Sequence, residues 1–366
     1  MNKIICYQKS FLIAIILILI APSVVSQEMS FEEYNPTSTL VVPGKEITSA
    51  KFKFIDIHSH QRDMSVEKLT SLLKDMESLN EGIMVNLSGG SGASLKEKVD
   101  NINKSFSNRF VVFANVDFEG VGTDDWGEKA AAQLEQDVKN GAKGLKIFKS
   151  LGLRYKDING NRVAIDDKRL DPIWAKCGEL GIPVLIHAAD PKSFWDDMDS
   201  KNERWLELKT RPRRKRSVTD PAPWEQIIQE QHNVFKKHPK TNFINAHMGW
   251  YANNLDKLGE LMEEIPNMYV GIAAVIAELG RQPQNARLFF EKYQDRILFG
   301  KDSWNPAEFP TYFRVLESND EYFPYYKKYH AFWAMYGLNL PDEVLKKVYY
   351  KNALKIVPGL DSSLFE

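Results

Sequence analysis

The feature that most constrains the fold is a regular alternation, from residue 51 onward, of short apolar runs and longer helix-like stretches. The apolar runs have the composition of β-strands, and the stretches between them repeat apolar residues at helical spacing. Eight such units predict a (β/α)8 (TIM) barrel, an α/β fold whose active site lies at the C-terminal ends of the strands. The predicted strands are Lys53–His58, Gly82–Leu87, Phe110–Val116, Gly144–Phe148, Pro183–His187, Asn242–His247, Met268–Ala273 and Arg296–Gly300.

The stretches between the strands predict helices, and a closing helix is expected after Pro341, running to about residue 356. An open, doubly wound sheet is the alternative fold. It is disfavoured because no glycine-rich turn follows the first strand, where a dinucleotide site would need one. The predicted helices include Val66–Leu79, Lys129–Lys139, Asp167–Leu180, Trp224–Lys237, Leu255–Glu264 and Pro283–Tyr293.

Composition agrees with a single large α/β domain. The chain has 366 residues, 43% hydrophobic and 27% charged, which suits a large core beneath a soluble surface. Its formal net charge is -1. A nucleic-acid-binding protein would usually carry a net positive field, so this class is disfavoured and the expected partner is a small-molecule substrate.

Residues 1–26 have the features of a secretory signal peptide. Lys3 and Lys9 precede the apolar run Phe11–Ile20, and Val24 and Ser26 are small residues before a cleavage site at Gln27. An uncleaved membrane anchor is the alternative, but the run is shorter than the ~20 residues that span a bilayer. We therefore expect an exported protein with no stable membrane anchor after cleavage.

The mature chain would then retain one cysteine, Cys177, so no internal disulfide can form. Cys177 lies on the apolar side of a predicted helix and is expected to be a buried structural thiol. An exported protein without disulfides suits a bacterial periplasm. Residues 27–50 are predicted to be an extended N-terminal arm, and residues 51–366 the barrel.

The connection at residues 188–223 is too long for an ordinary βα loop, and it is predicted to be a lid or substrate-binding segment. It contains the basic run Arg211–Arg216. Two interpretations of that run stay open, a solvated turn and a binding surface for an anionic substrate.

The candidate functional residues lie where the predicted strands end. In the first strand, two histidines are separated by one residue, so strand alternation predicts that both face the same space. Taken singly, a histidine or aspartate after a strand is usually structural, but five at corresponding positions indicate a site. Three imidazoles and a carboxylate match the ligands of Zn²⁺ or a similar divalent metal. The five residues are His58, His60, His187, His247 and Asp302.

The order of these residues resembles the amidohydrolase superfamily. In detail it is similar to the amidohydrolase-related (amidohydrolase 2) branch, which includes aminocarboxymuconate semialdehyde decarboxylase and related lactone hydrolases. The resemblance covers roughly residues 51–357. The segments that carry it are Ile55-Asp56-Ile57-His58-Ser59-His60, Ile244-Asn245-Ala246-His247-Met248-Gly249 and Ile297-Leu298-Phe299-Gly300-Lys301-Asp302.

The resemblance implies that His58, His60, His187 and Asp302 hold one divalent metal, with Zn²⁺ expected and Mn²⁺ the alternative. It also implies that His247 stays off the metal and handles the proton of the metal-bound water, with Asp302 as a further proton acceptor. The sequence departs from the family pattern at Lys301, where a small residue is usual.

Two basic residues are expected to bind substrate. Lys146, in the fourth strand, is predicted to orient a substrate carboxylate; a carboxylated Lys146 bridging two metals is the alternative. Arg281 lies just after the seventh strand and is predicted to bind a substrate carboxylate, as related enzymes do with arginines.

The resulting expectation is a hydrolase in which metal-bound hydroxide attacks a small, anionic lactone, ester or amide. A metal-dependent non-oxidative decarboxylase of the same branch is the alternative. A third hypothesis is a barrel that binds ligands without catalysis. It is disfavoured because binding alone does not need His247 beside a metal. A homodimer is compatible with the aromatic-rich segment 322–333.

Overall fold

The computed structural model of the protein describes residues 28–44 and 46–366. The predicted signal peptide, residues 1–26, lies outside the described residues. The chain divides into two units, residues 1–39 and residues 40–366. In the described part of the predicted arm there is a turn at residues 31–33 and neither a helix nor a strand.

All eight predicted barrel strands are present, and the third is divided into two short strands. Neighbouring strands pair in parallel, in the orders β1-β2-β3 and β4-β5-β6-β7-β8-β9. The strands are β1 (Phe54–Ser59), β2 (Glu81–Asn86), β3 (Phe110–Val112), β4 (Ala114–Asn115), β5 (Leu145–Ile147), β6 (Val184–Ile186), β7 (Phe243–Asn245), β8 (Met268–Gly271) and β9 (Ile297–Leu298).

Backbone hydrogen bonds close these strands into a barrel. Between β3 and β4, the amide nitrogen of Phe113 donates to the carbonyl oxygen of Asn86 over 2.9 Å. At the other junction, Ile57 donates to the carbonyl oxygen of Phe299 over 3.1 Å. The predicted TIM barrel is therefore confirmed.

Helices follow the strands, and four of them match the predicted bounds. They are α1 (Val66–Leu79), α2 (Gly92–Ser105), α3 (Trp126–Lys139), α4 (Ser150–Leu153), α5 (Asp171–Leu180), α6 (Trp205–Thr210), α7 (Trp224–Lys237), α8 (Leu255–Glu264), α9 (Ile276–Gly280), α10 (Pro283–Tyr293), α11 (Phe309–Glu317), α12 (Asp342–Lys346) and α13 (Asn352–Ile356). No helix among the described residues is long and apolar enough to cross a membrane.

The closing helix differs from the prediction because a π-helical turn, Lys347–Lys351, separates α12 from α13. Within this turn the carbonyl oxygen of Val348 accepts a hydrogen bond of 2.9 Å from the amide nitrogen of Phe299. The helix is locally wider at the turn where this carbonyl is hydrogen-bonded to the residue that follows β9.

The barrel strands are buried on both faces, which explains why their sequences are nearly continuous apolar runs. Alternate residues such as Ile55, Ile83 and Ile244 fill the barrel interior, and each apolar side chain of this size contributes about 1.5–3 kcal/mol when buried. Residues from the 353–365 segment join that interior cluster. The strand residues on the opposite face pack against the helices. Cys177 on α5 is fully buried in this outer layer, as predicted.

The long segment 188–223 is folded rather than an open loop. It contains α6 and two 3-10 turns, Lys192–Phe194 and Pro212–Arg214. The indole nitrogen of Trp195 donates to the carbonyl oxygen of Ala222 over 2.9 Å, which ties the two ends of the segment together.

Two arginines of the basic run are used internally. Arg214 pairs with Glu207, and Arg216 lies 2.9 Å from Asp190. The positive charge of the basic run is therefore partly neutralised by carboxylates within the segment 188–223.

The aromatic-rich segment forms a short antiparallel hairpin of β10 (Phe323–Pro324) and β11 (Ala334–Met335). Phe323 and Tyr325 are buried in the core of the barrel domain. In this chain these two rings are core residues.

Candidate metal centre

His58 and His60 reach one space through an irregular strand end rather than simple alternation. Ile55 and Ile57 face the barrel interior, so strict alternation would direct His58 outward with Phe54. The register between β1 and β2 shifts between Asp56 and Ser59. This irregularity brings the ring of His58 to 5.3 Å from that of His60, measured between centroids.

Asp56 stabilises the irregular segment. Its Oδ1 atom accepts hydrogen bonds from the backbone nitrogen atoms of His58, at 2.9 Å, and Lys301, at 3.1 Å. Burial raises the pKa of Asp56 to about 6, although the two backbone donors act in the opposite direction. The carboxylate thus joins the ends of β1 and β9, which supply His58, His60 and Asp302.

His58, His60 and Asp302 converge on one point. The Nε2 atoms of both histidines lie 3.7 Å from Oδ1 of Asp302. One potential ligand atom from each of the three residues lies within 4.8 Å of the others. Among the described residues, no other group of three or more His, Cys, Asp or Glu side chains has this geometry. These distances fit three ligands around a single divalent ion, with small adjustments of the side chains.

Unpartnered buried nitrogen atoms support the fit of a metal here. Both ring nitrogens of His58 and the Nε2 atom of His187 are buried, and none has a hydrogen-bond partner among the described residues. A buried polar atom left without a partner costs about 1–3 kcal/mol. A neutral imidazole has a lone pair on only one nitrogen, so a cation here would bind one nitrogen of His58 together with Nε2 of His187 and would remove that part of the cost.

His247 is held in place from two sides. Its Nδ1 atom lies 2.7 Å from the carbonyl oxygen of Ala273, and its Nε2 atom lies 3.2 Å from Nδ1 of His187. The indole of Trp250 stacks on the His247 ring at 4.6 Å. Trp250 is itself fixed by a 3.0 Å hydrogen bond from its indole nitrogen to the carbonyl oxygen of Ala188.

Burial keeps the imidazoles neutral. It lowers the pKa of His60 and of His247 to about 4, and it lowers the pKa values of His58 and His187 well below the usual range. For Asp302, burial raises the pKa, but the neighbouring His247, His60 and Lys146 outweigh it and the net pKa is lowered. At neutral pH the site therefore offers uncharged nitrogen ligands and an ionised carboxylate.

Lys146 enters the site from beneath. On β5 it pairs with Leu185, which belongs to the interior cluster, one layer below His187. The residue is 1% exposed, and its Nζ atom has no hydrogen-bond partner among the described residues. Burial lowers its pKa to about 7, against the opposing attraction of Asp302.

The loops after the strands carry backbone conformations that non-glycine residues rarely adopt. His247, Met248 and Trp250 have φ values of 57°, 51° and 61°, and Asp302 has a φ of 79°. Each such residue costs on the order of 1–3 kcal/mol, so the surrounding fold must hold them. Gly249 is required in this turn, because an added Cβ atom would lie 2.4 Å from Nδ2 of Asn245.

Arg281 and Lys301 are engaged elsewhere. The Arg281 guanidinium lies 3.0 Å from Glu203 and 3.9 Å from the ring centroid of Trp333. The Lys301 ammonium lies 2.5 Å from Glu308, outside the group of three converging ligands. The structure thus brings His58, His60 and Asp302 within ligand distance of one another, and it places His187, His247 and Lys146 beside them but outside that group. Arg281 is left in a separate ion pair.

Three supporting residues were not identified from the sequence. Ser88, whose hydroxyl lies 3.0 Å from Nδ1 of His60, gives no sequence signal. Trp250 directly follows the His247 motif. Asp56 lies two residues before His58, which is the same spacing that separates His58 from His60. Trp250 could have been found by extending the His247 motif by one residue, whereas Asp56 already lies within the first motif and was not assigned a role.

The fold and the strand-end cluster together define a barrel enzyme of the amidohydrolase type. The amidohydrolase family model (Amidohydro_2) matches residues 115–359. The chain belongs to this family, in its amidohydrolase 2 branch. No curated protein sequence gives a significant match.

Solved structures with the same fold come from several bacteria. A Staphylococcus aureus protein provisionally described as an amidohydrolase has a TM-score of 0.52 and 18% identity, covering 84% of this chain and 99% of that one. A Polaromonas dihydroxybenzoic acid decarboxylase with bound manganese and an inhibitor, 2-nitroresorcinol, has a TM-score of 0.51 and 14% identity, covering 83% and 96%. A Novosphingobium aromaticivorans 5-carboxyvanillate decarboxylase, also with manganese, has a TM-score of 0.51 and 14% identity, covering 86% and 99%. At these identities the similarities establish the fold.

Proposed function

We propose that the chain is a metal-dependent hydrolase that acts on a small, anionic lactone, ester or amide. The observation that carries the proposal is the convergence of His58, His60 and Asp302 at the C-terminal face of the barrel. Binding sites and catalytic residues of TIM barrels lie at this face.

The proposed cofactor is one divalent metal held by those three residues, with the unpartnered Nε2 atom of His187 as the fourth ligand. Zn²⁺ suits three imidazoles and a carboxylate, and Mn²⁺, present in both decarboxylase structures, is the alternative. A divalent ion held there would polarise a substrate carbonyl group and lower the pKa of water towards ~7.

His247 is proposed to handle the proton. Because its Nδ1 proton is held by the carbonyl oxygen of Ala273, the lone pair of His247 lies on Nε2, which faces Nδ1 of His187 at 3.2 Å. To accept a proton from the attacking water, Nε2 would have to exchange this contact with His187 for the water. The ionised carboxylate of Asp302 is a second acceptor in the same space. Stacking of Trp250 excludes water from one face of the His247 ring.

The anionic character of the substrate is proposed from Lys146. The Nζ atom of Lys146 is buried beneath the ligand cluster and has no hydrogen-bond partner among the described residues, so its protonated form favours an anionic group in the substrate. Arg281 is the second proposed carboxylate-binding residue. To serve in this way its guanidinium would have to exchange Glu203 for the substrate.

Non-oxidative decarboxylation is the second candidate, and the position of Lys146 also favours it. A cation below the site would fix the carboxylate that leaves as carbon dioxide. Two proteins with the same fold are decarboxylases of aromatic acids.

The experiment that separates the candidates is a substrate panel assayed with metal-reconstituted enzyme. Lactones, esters and amides with and without a carboxylate are tested beside aryl carboxylates, with released acid and released carbon dioxide measured separately. Acid without carbon dioxide supports hydrolysis, whereas carbon dioxide from an aryl carboxylate replaces this proposal with decarboxylation. A His58→Ala sample processed in parallel identifies any activity that does not come from this site.

A further inference from the structure

The peptide unit that joins Ala273 to Ala274, in the loop after β8, is hydrogen-bonded at both ends. Its carbonyl oxygen lies 2.7 Å from Nδ1 of His247, and its N–H group donates to the hydroxyl oxygen of Tyr312 over 3.0 Å. The carbonyl and N–H groups of a trans peptide unit point in opposite directions because the unit is planar. The two contacts therefore fix one orientation of this unit, with the carbonyl group directed at the proposed catalytic histidine.

That orientation is strained at Ala274. Its φ is 59°, in the left-handed region that residues with a Cβ atom rarely adopt. If the peptide unit turned by about half a rotation, φ of Ala274 would change to roughly −120°, an ordinary extended value. The N–H group would then face His247. Backbone strain thus favours the reversed orientation, and the two hydrogen bonds oppose it.

Tyr312 holds its end of the peptide unit from a fixed position on α11. Its side chain is fully buried, and its ring centroid lies 6.0 Å from that of Phe299. The Lys301 ammonium lies 5.5 Å from the centroid of the same ring, within the range of a cation–π contact. The barrel wall and Lys301 therefore hold the hydroxyl group in place independently of His247.

The orientation of the peptide unit decides where the His247 proton lies. A carbonyl oxygen only accepts, so Nδ1 of His247 carries the proton, and Nε2, 3.2 Å from Nδ1 of His187, keeps its lone pair. In the reversed orientation an N–H group would face Nδ1, which favours the lone pair on Nδ1 and the proton on Nε2. Nε2 would then lose the lone pair that the proposed reaction uses.

We propose that Tyr312 is a positioning residue whose hydroxyl group holds the 273–274 peptide unit with its carbonyl towards His247. Removal of the hydroxyl would release the N–H end, and the peptide unit would relax towards the reversed orientation. The consequence for the reaction rests on the proposed function, because that reaction needs the lone pair on Nε2 of His247. The location of the proton on this histidine does not rest on it.

The test is Tyr312→Phe, which removes the hydroxyl group and keeps the buried ring. Nitrogen NMR of the full chain with isotope-labelled histidine, after removal of metal by a chelator, distinguishes protonated from unprotonated ring nitrogens, and His247→Ala identifies the His247 signals. We expect the Nδ1–H form alone in the wild type and a mixture of both forms in the variant. In the metal-reconstituted enzyme kcat should fall by about tenfold with KM unchanged, the loss expected for one hydrogen bond.

Tyr349→Phe is the matched control. Tyr349 is also fully buried, and its hydroxyl donates to Glu317 over 2.6 Å, so the substitution removes a comparable hydrogen bond outside the site. It should leave the His247 signals and kcat unchanged.

A His247 ring that keeps the Nδ1–H form alone in Tyr312→Phe would overturn the proposal, as would the same mixture of forms in Tyr349→Phe. The NMR measurement needs neither metal nor turnover, so the two proposals fail separately. A mixture of forms in Tyr312→Phe without hydrolysis by the wild type refutes the proposed reaction alone. Hydrolysis by the wild type, with the proton position unchanged in the variant, refutes the role of Tyr312 alone.

Discussion

The Nε2 atom of His247 lies 3.2 Å from the Nδ1 atom of His187. Because Nδ1 of His247 faces a carbonyl oxygen, which only accepts, that atom carries the proton and Nε2 carries a lone pair. Nδ1 of His187 must then donate, which leaves the lone pair of His187 on Nε2, a buried atom with no hydrogen-bond partner among the residues that the structure describes. The carbonyl of Ala273 therefore sets the tautomers of two histidines, and it leaves His187 in the form that a metal ligand requires.

The first prediction concerns the metal. Purified wild-type protein should contain close to one equivalent of a divalent metal, and His58→Ala or His60→Ala should lose most of it, because three ligands converge on one ion. Elemental analysis by mass spectrometry measures the content. His238→Gln, at a histidine bonded to Asp171, is the matched control and should retain the metal. Two equivalents in the wild type would instead favour Lys146 as a carboxylated bridge.

The second prediction separates proton handling from metal binding. His247→Ala should reduce kcat by ~10²–10⁴ because the proton acceptor is lost, while most of the metal remains. The measurements are steady-state kinetics and metal content on the same preparation. If His247→Ala loses the metal as completely as His187→Ala does, His247 is a ligand and its proposed role is wrong.

The third prediction concerns stability. Lys146→Met removes a buried amine that has no hydrogen-bond partner among the described residues, and in metal-free protein it should raise the free energy of unfolding by roughly 1–4 kcal/mol at pH 7 while lowering kcat/KM for anionic substrates. Since the pKa of Lys146 is lowered from 10.5 to about 7, the unfolded chain binds more protons between those values. Wild-type stability therefore gains as pH rises through this window, so the advantage of the variant should shrink towards pH 10.5. Urea denaturation at several pH values measures it.

The control for that experiment is Lys96→Met on α2, an exposed lysine paired with Asp100. Its effect should be small at every pH because surface ion pairs contribute ~0–1 kcal/mol. A Lys146→Met advantage that stays constant with pH would mean that Lys146 keeps an ordinary pKa.

The fourth prediction concerns Arg281. If its guanidinium binds a substrate carboxylate, Arg281→Lys should lower kcat/KM by about tenfold to a hundredfold, because a two-point contact becomes a single charge. The metal content should not change. Kinetics equal to those of the wild type would restrict Arg281 to its observed contacts with Glu203 and Trp333.

The fifth prediction concerns export. Expression of the full chain in a bacterium should give periplasmic protein that begins at Gln27, since Val24 and Ser26 fit the cleavage pattern. Intact-mass measurement on the periplasmic fraction checks this. A product that retains residues 1–26 in the membrane fraction would support the anchor instead.

Most of the barrel could be predicted because its strands and helices have distinct apolar periodicities, and helices such as α1 and α7 match their predicted bounds. The division of the third strand and the π-helical turn could not, since both depend on which backbone groups meet across the fold. The strand-end residues were identifiable from position alone. The orientation of His58 was not, because it depends on a register shift, and neither was the ion pair that occupies Arg281, because Glu203 is distant in sequence.

The left-handed turn at His247, Met248 and Trp250 has a consequence for how this chain would change over many generations. Most random substitutions destabilise a protein, and stability can be recovered where residues held in a costly backbone conformation are replaced and the conformation is lost. A lineage that no longer needed His247 beside a metal would be expected to relax the turn early. Loss of this strained turn in a descendant would therefore be an early sign that catalysis had been abandoned, visible before the barrel itself had altered.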